Sequence, residues 1–339
     1  MTTSRILVAF LTLGSFVAIA LALASHPAAA IDCTRAQSKI ERTICQDAQA
    51  RAADQKLGVA FNQLRAVLPD DQRSGLRASQ IEWIRDRDNN CLFEEEDARP
   101  KCLVRQIEER RRFLEGKPEA GDAEQTIYKP VFIFHSGTKR KAQLSVQAIK
   151  LIGTDAWQTK VNAKIDELIK DAIGDAKLNN HSSNEDGLYY VGLSVSIPFA
   201  SPHLASVHVV YVNITGQPHQ FHYSKNFNIE LPAGRELTFD DLFDPTKANE
   251  LFKHCHSEIV KQKVASADIH GLGDEEAHDV NFFEVIDGVK GLSGWTFTET
   301  GAEIYYGDYS FGGYGHCMCT CVLSYAQLRA AARRDPPFP

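Results

Sequence analysis

The stretch QIEWIRDRDNNC, residues 80–91, decides the fold of the first part of the chain. Gln80, Trp83, Arg87 and Cys91 fall at i, i+3, i+7 and i+11, so a helix places them on one face. We expect Trp83 to anchor a small core and Arg87 to pair with a carboxylate such as Asp54. For Trp83 and Arg87, a structural role is favoured over a functional one.

Helical spacing continues on both sides of this stretch. One apolar stripe precedes it, a second runs through it to about Asp88, and a third begins after Pro100. The stripes are Leu57, Phe61, Leu64 and Leu68; Leu76, Trp83 and Ile84; and Leu103, Ile107 and Leu114. Three short helices over residues 31–117 bury only a marginal core, so the prediction is a small all-α domain held by disulfides.

The first thirty residues have the pattern of a secretory signal peptide. Arg5 supplies a positive charge, residues 6–24 are apolar, and Ala28-Ala29-Ala30 forms a small-residue cleavage site. We expect cleavage after Ala30. Because Asp32 beside Cys33 does not suit a lipoprotein signal, the mature chain is expected to be periplasmic or secreted and free of the membrane. An uncleaved membrane anchor is the alternative.

Eight cysteines follow the cleavage site, and in an exported protein they are free to oxidise. We predict the local pairs Cys33–Cys45 and Cys91–Cys102. The first ties down the start of the mature chain, and the second closes an acidic turn between two helices. The pairing Cys33–Cys102 with Cys45–Cys91 joins more distant helices and stays open as the alternative.

The late cysteines form a separate group. A disulfide from Cys255 to one of Cys317, Cys319 and Cys321 is expected. The three late cysteines alternate with other residues, so on a strand their sulfurs share one face. A Cu or Zn site on that face, near His254 and His256, is the alternative, since soft ligands suit these metals. We predict no metal and no cofactor.

Charge differs between the two parts of the chain. Residues 31–117 contain 17 Lys and Arg against 16 Asp and Glu, whereas residues 118–339 contain 19 against 28, and the whole chain has a net charge of −7. An acidic second part is a poor partner for nucleic acid and a suitable one for a cationic protein. The simpler interpretation is that the negative charge keeps a secreted domain soluble.

A linker at residues 118–125 separates the helical part from a part rich in strands. Strands are predicted at residues 131–134, 144–152, 188–197, 207–214, 227–231, 295–297 and 302–306. Helices are predicted at residues 156–172, 245–264 and 324–334, and Thr238 with Asp241 forms a capping box. Residues 126–334 are therefore expected to form an α+β domain with a largely antiparallel sheet.

The first unit has a recognisable order of residues: Ile44-Cys45, Asp54, Leu57 and Phe61, then Gln80, Trp83, Arg87, Asp88 and Cys91, then Cys102-Leu103 and Arg110. This order resembles the LprI-type lysozyme-inhibitor family from Cys33 to about Leu114. Ala50 stands where that family usually has Leu, and Ile107 where it usually has Tyr. The resemblance implies a disulfide-linked helical fold and binding of a lysozyme.

The second unit has a shorter set of motif residues: Gly234, then Leu237, Thr238, Phe239, Asp240, Asp241, Leu242 and Phe243, then Trp295, Gly301, Tyr309, Gly315, Ser324, Tyr325 and Leu328. This set resembles the extracellular domain of the RsiV anti-sigma factors, which binds lysozyme. The usual Gly-Ala-His turn is replaced by Ser201-Pro202-His203. Some peptidoglycan deacetylases carry the same domain beside a catalytic domain, for which this sequence has no counterpart.

Motifs of enzymes are missing from the sequence: it has no Gly-rich phosphate loop, no G-x-S-x-G and no H-E-x-x-H. Asp240 and Asp241 are expected to cap a helix. The leading hypothesis is a non-enzymatic envelope protein that covers a cationic lysozyme or other cell-wall hydrolase with an acidic surface of the second unit. Envelope metal handling and peptidoglycan binding are the alternatives.

Overall fold

A computed structural model of the chain describes residues 30–122, 125–137, 142–179, 189–215, 221–231, 233–270, 278–307, 310–311 and 319–339. Its first part contains four helices: α1 (Lys39–Gln46), α2 (Ala48–Val67), α3 (Asp70–Leu92) and α4 (Arg99–Leu114). The spacing of apolar residues predicted α2, α3 and α4, and α1 was missed. This helix buries only Ile40 and Ile44, a stripe too short to be recognised as helical.

Local sequence determines where these helices begin. Ser38 and Glu41 form a capping box at the start of α1. The Asp47 carboxylate accepts a hydrogen bond from the backbone N–H of Ala50 at the start of α2. Pro100 lies in the first turn of α4, where a missing N–H donor costs no helical hydrogen bond.

Two disulfides hold the helical part together. Cys33 is bonded to Cys45, and Cys91 is bonded to Cys102. The first bond ties the chain before α1 to that helix, and the second joins the end of α3 to the start of α4. The pairing is the local one that the sequence analysis preferred.

The large sheet has six strands: β1 (Tyr128–His135), β2 (Gln143–Leu151), β3 (Tyr189–Ala200), β4 (Leu204–Thr215), β5 (Phe221–Glu230) and β6 (Arg235–Glu236). They lie side by side in chain order. Every neighbouring pair is antiparallel except β2 and β3, which are parallel and joined through α5 (Ala156–Asn179). The prediction of a largely antiparallel sheet is therefore confirmed.

The two faces of the large sheet pack against different helices. On one face, α5 covers buried side chains such as Leu144 and Val191. On the other face, α3 and α4 pack against β1 and β2, where Phe113 lies 5.8 Å from the ring of Tyr128. At Gly75 of α3 an added Cβ would lie 2.9 Å from Phe132, so only glycine permits this close approach. The helical part and the large sheet thus share one hydrophobic core.

A second hydrophobic core lies in the last part of the chain. It is formed by α6 (Phe239–Leu242), α7 (Asn249–His270), α8 (Phe282–Lys290), β7 (Trp295–Phe297), β8 (Gly301–Tyr305), β9 (Thr320–Ser324) and α9 (Tyr325–Ala331). The strands β7, β8 and β9 form a separate antiparallel sheet. Of these elements, α8 and β9 were not predicted from the sequence.

The Leu237–Phe243 motif leads into this second core. Asp241 accepts hydrogen bonds from the backbone and the hydroxyl of Thr238, so the predicted capping box is present. Leu242 and Phe243 are fully buried. Hydrogen bonds from Thr238, together with the smaller effect of Arg235, lower the pKa of Asp241 to about 2. Two other residues of the second resemblance, Tyr309 and Gly315, lie outside the described residues.

The described helices give no candidate for a membrane anchor, because none is both long and apolar enough to cross a bilayer. The predicted signal peptide covers residues 1–30, of which residues 1–29 lie outside the described part of the chain.

Candidate binding groove

A groove opens where α3 ends its contact with the large sheet. It has a cavity volume of about 340 Å³ and is bounded by α3 on one side and by β2, β3 and β4 below. We call it the Trp83 groove. It is lined by Ser79, Glu82, Trp83, Asp86, Ser145, Gln147, Tyr190, Gly192, Leu193, Ser194, Val210 and Val212.

The polar floor of the groove follows from strand register. Gln143, Ser145 and Gln147 alternate along β2 and lie opposite Tyr190, Gly192 and Ser194 of β3. Since alternate residues of a strand share a face, all six belong to the sheet face that carries α3. Farther along the same face of β4, Ser206 and His208 lie under β7, where Ser206 accepts a hydrogen bond from the N–H of Phe297. The groove therefore lies between the first helices and the small sheet.

The side chain of Trp83 packs against the first hydrophobic core, as expected, but it is only half-buried and does not lie at the centre of that core. Its ring lies between two cations: the guanidinium carbon of Arg87 is 5.0 Å from the ring centroid and that of Arg110 is 5.8 Å away. These distances allow cation–π attraction. The predicted helix face is therefore real, but it holds Trp83 at the rim of a groove.

Arg110 is the buried support beneath Trp83. Its guanidinium donates to Gln80 Oε1 at 2.9 Å, to Ser79 Oγ at 2.9 Å and to Gln147 Oε1 at 2.5 Å. Burial lowers the pKa of Arg110 to about 9, so the group still carries its charge at neutral pH. The network joins α4 to α3 and to β2, which fixes one wall of the groove to its floor.

Arg87 and Asp54 do not pair directly, contrary to the prediction. Arg87 donates to Asp88 Oδ1 at 2.6 and 2.8 Å. Asp54 instead accepts the backbone N–H of Ile31 at 2.7 Å. Burial raises the pKa of Asp54, and the hydrogen bond from Ile31 and the more distant charge of Arg87 oppose that rise.

Two carboxylates face the groove from α3. Glu82 accepts hydrogen bonds from Ser145 at 2.7 Å and from Gln143 at 3.4 Å. Asp86 is exposed, and its contact with Arg85 is 3.4 Å long. Across the floor, burial raises the pKa of Tyr190 to about 12. Acceptors beside aromatic rings can bind either a cationic side chain or the hydroxyls of a sugar.

Only one side of this groove was predicted from the sequence. The helix spacing implied that Gln80, Trp83 and Arg87 share a face, and Arg110 was named through the family resemblance alone. On the sheet, Tyr190, Ser145 and Gln147 were missed. Alternating polar residues in QLSVQ, 143–147, were the available signal for a polar sheet face. The groove is not lined by the motif residues beside the second hydrophobic core, which are Asp240, Asp241, Leu242 and Phe243.

The late cysteines are disulfide-bonded where they are described. Cys255 is bonded to Cys321, which confirms the predicted disulfide from Cys255 to one of the three late cysteines. Cys319 is also in a disulfide. Cys317 lies outside the described residues. A sulfur in a disulfide is not a thiolate ligand, so the metal-handling alternative loses the donors on which it was based. Within the described ranges no group of three His, Cys, Asp or Glu is placed to hold a metal ion.

Residues 32–114 match the family model described as lysozyme inhibitor LprI. The match covers α1 to α4 and confirms the resemblance found for this segment. It includes Trp83, which lines the Trp83 groove, and Arg110, which supports it from beneath. The resemblance of the second unit to the RsiV domain stays a prediction.

Two solved structures are similar to this chain at 13% sequence identity. One is a DUF3298 family protein from Pseudomonas aeruginosa PAO1, with 64% of this chain and 98% of that chain covered and a TM-score of 0.41. The other is a DUF3298 family member from Bacteroides fragilis, with 61% and 94% covered and a TM-score of 0.38. A search of curated proteins found no match.

Proposed function

We propose that this protein is a lysozyme-inhibitor-like protein of the cell envelope that binds a cationic cell-wall hydrolase at the Trp83 groove. The observation that carries the proposal is the match of residues 32–114 to the lysozyme inhibitor LprI model. The motif residues of that segment form the wall and the support of the groove. We further propose that the protein acts by binding, without catalysis of its own.

The chemistry of the groove fits a Lys or Arg side chain of the partner. Glu82 and Asp86 supply negative charge at the wall, and Tyr190 supplies an aromatic surface on the floor. The Arg110 network fixes this arrangement before a partner arrives, which reduces the entropy lost on binding. These carboxylates come from the first unit, whereas the sequence analysis expected the acidic surface on the second.

Secretion would place the protein where such hydrolases act. The predicted signal peptide, residues 1–30, would direct export, and the disulfides between described cysteines suit an oxidising compartment. Periplasmic or secreted location is therefore part of the proposal.

The test is binding and inhibition by the purified chain Ile31–Pro339. Lysozymes of each class are titrated calorimetrically at low salt, and lysis of cell-wall suspensions is followed by turbidity. The double variant Glu82→Gln/Asp86→Asn is expected to weaken binding at least about tenfold. Its control, Glu167→Gln/Asp171→Asn on exposed positions of α5, removes the same charge and is expected to bind normally. Failure to bind any lysozyme class contradicts the proposal.

Peptidoglycan is a second candidate ligand, favoured by one observation. The floor of the Trp83 groove combines the Tyr190 ring with hydroxyl and amide groups of Ser145, Gln147 and Ser194. Rings and such polar groups suit a glycan chain. Sedimentation with isolated sacculi tests it, and binding that survives Tyr190→Ala would show that the groove is not the glycan site.

A further inference from the structure

A second groove lies on the other side of α3, and it is basic. Four arginines line it: Arg65 from α2 and Arg73, Arg77 and Arg85 from α3. Its cavity volume is about 920 Å³. Ile81 and Phe134 add apolar surface, and the side chain of Ile81 is 64% exposed. We call this the arginine groove.

The arginines of α3 are regularly spaced. Arg73, Arg77, Ile81 and Arg85 follow at steps of four residues, so they lie along one side of the helix. Four residues of α-helix rise by about 6 Å. Arg73 and Arg85 are therefore about 18 Å apart along the helix axis, and Arg77 and Ile81 lie at the two steps between them.

The acidic side chains beside these arginines, Asp70, Glu82 and Asp86, offset part of their charge. Arg73 pairs with Asp70 at 2.6 Å and Arg85 with Asp86 at 3.4 Å, but all four side chains are well exposed, and such pairs are weak. Arg65 and Arg77 have no ion pair within the described part of the chain. Glu82, the acid of the lining, is held by Ser145 and Gln143.

We infer that the arginine groove binds a linear envelope polymer that carries a phosphodiester in each repeat. A guanidinium is planar and can donate two hydrogen bonds to the two free oxygens of one phosphodiester. A line of anions matches the line of arginines, and Ile81 with Phe134 can contact the carbon chain between phosphates. In a protein of net charge −7, attraction of a polyanion needs such a local concentration of cations. This inference is independent of hydrolase binding.

The experiment measures binding of fluorescent poly(glycerol phosphate) to the chain Ile31–Pro339 as a function of salt. Each phosphate contact contributes roughly −0.7 to the slope of log K against log salt for a flexible polyanion. The triple variant Arg73→Gln/Arg77→Gln/Arg85→Gln is expected to reduce the slope by about 2 and the low-salt affinity at least tenfold. The control, Lys160→Gln/Lys164→Gln/Lys170→Gln on α5, makes the same change of net charge and should bind as the unmodified chain does.

Two results would overturn the inference. Equal losses in the two triple variants would show a general effect of net charge. Equal affinity for poly-glutamate of matched charge would show that the groove does not select phosphate.

A separate observation concerns the start of the mature chain. The N–H of Ile31 donates to Asp54 Oδ2 at 2.7 Å, and Asp54 is only 7% exposed. The Arg87 guanidinium is nearby but is hydrogen-bonded to Asp88. A buried carboxylate needs a paired cation or hydrogen bonds that compensate for its lost hydration.

We propose that cleavage between Ala30 and Ile31 places the new α-ammonium group of Ile31 on Asp54. Water hydrolyses the peptide bond, Ala30 leaves with the carboxylate, and the Ile31 nitrogen gains protons and becomes a cation. The amide hydrogen bond thereby becomes a charged one at the same position. Removal of the leader then stabilises the helical part.

Four chains test this step: the chain that begins at Ile31 and one with Gly-Ser before Ile31, each with Asp54 or with Asp54→Asn. Mass spectrometry of the exported protein first determines its N-terminus. Asp54→Asn is expected to lower the folding equilibrium constant about tenfold more in the chain that begins at Ile31, because charged hydrogen bonds are the stronger ones. Equal effects in the two backgrounds, or an exported protein that begins elsewhere, would overturn the proposal.

Discussion

The two faces of the large sheet have opposite chemistry, although they are built from the same strands. On β2, Leu144 and Val146 face α5 and are buried, whereas Gln143, Ser145 and Gln147 face α3. On the apolar face α5 packs against β2 and β3, and a groove of about 450 Å³ lies between α5 and β5. The polar face is covered at its two ends, by α3 with α4 and by β7, and remains open between them as the Trp83 groove.

The difference separates stability from recognition. Burial of apolar side chains on the α5 face supplies stability that does not depend on partners. On the α3 face, the buried Arg110 holds in position polar groups that could bind a partner. This network stabilises the fold only if each of its hydrogen bonds is made, because an unpaired buried polar group costs free energy. Substitutions on the α5 face should therefore lower the free energy of unfolding by more than substitutions on the α3 face do.

Leu144→Ala tests the apolar face and should have the largest effect. Removing a buried Leu side chain leaves a cavity beside α5, and we expect the free energy of unfolding to fall by about 3 kcal/mol. Urea denaturation of the chain Ile31–Pro339 measures it, with Leu178→Ala on an exposed position of α5 as the control. A change below about 1 kcal/mol would contradict the assignment of this face to the core.

Arg110→Leu tests the support of the polar face. It leaves Ser79, Gln80 and Gln147 with lost hydrogen bonds, and we expect a loss of about 2 kcal/mol in unfolding free energy. Arg111→Leu, next in the sequence but in partly exposed ion pairs with Glu108 and Glu115, should cost less than about 1 kcal/mol. If the two variants were equally stable, the buried network would not hold the groove.

Glu119→Gln tests a titratable group on the polar face, where Ser196 donates to it. Burial raises the pKa of Glu119 to about 7, and the like charge of Glu109 adds to the rise. Because the folded pKa lies above the unfolded one, stability from this group is full below about pH 4.5 and is lost as pH rises through 7.

The Gln variant lacks this loss. Between pH 4.5 and pH 8 we expect the original chain to lose about 1–2 kcal/mol more than the variant, a discounted figure because the side chain is partly exposed. Urea denaturation across that range measures the difference. Parallel pH profiles for the two chains would show that Glu119 does not titrate as stated.

Ser145→Ala should have the smallest effect on stability. It removes the hydrogen bond to Glu82 while that carboxylate keeps access to the groove, and we expect a change of less than about 1 kcal/mol. Together with its neighbour Leu144, this position compares the two faces directly. A loss of unfolding free energy as large as that of Leu144→Ala would contradict the proposed difference between the two faces of the sheet.

The sequence predicted helical organisation better than it predicted the groove. The spacing of Gln80, Trp83, Arg87 and Cys91 is local information, and the structure keeps these residues on one helix face. The short α1 and the cysteine-containing β9 were missed because each offers too few periodic positions. The position of Trp83 was predicted wrongly because an aromatic residue at core spacing does not reveal whether another element covers it.

The floor of the groove depends on contacts that no local pattern records. Ser145 reaches Gly192 only because β2 and β3 pair in parallel through α5, across more than forty residues of chain. Alternation within QLSVQ shows that one face of β2 is polar, but not which helix lies above it. The pairing of Asp54 with the Ile31 backbone was missed for the same reason.

Hydrogen exchange on the chain Ile31–Pro339, with and without a bound lysozyme, tests the central claim most directly. If the Trp83 groove is the contact surface, backbone amides of residues 79–87 and 189–194 become protected while those of α5 do not change. Protection confined to α5 or to the second core, with residues 79–87 exchanging as in the free protein, would contradict the account.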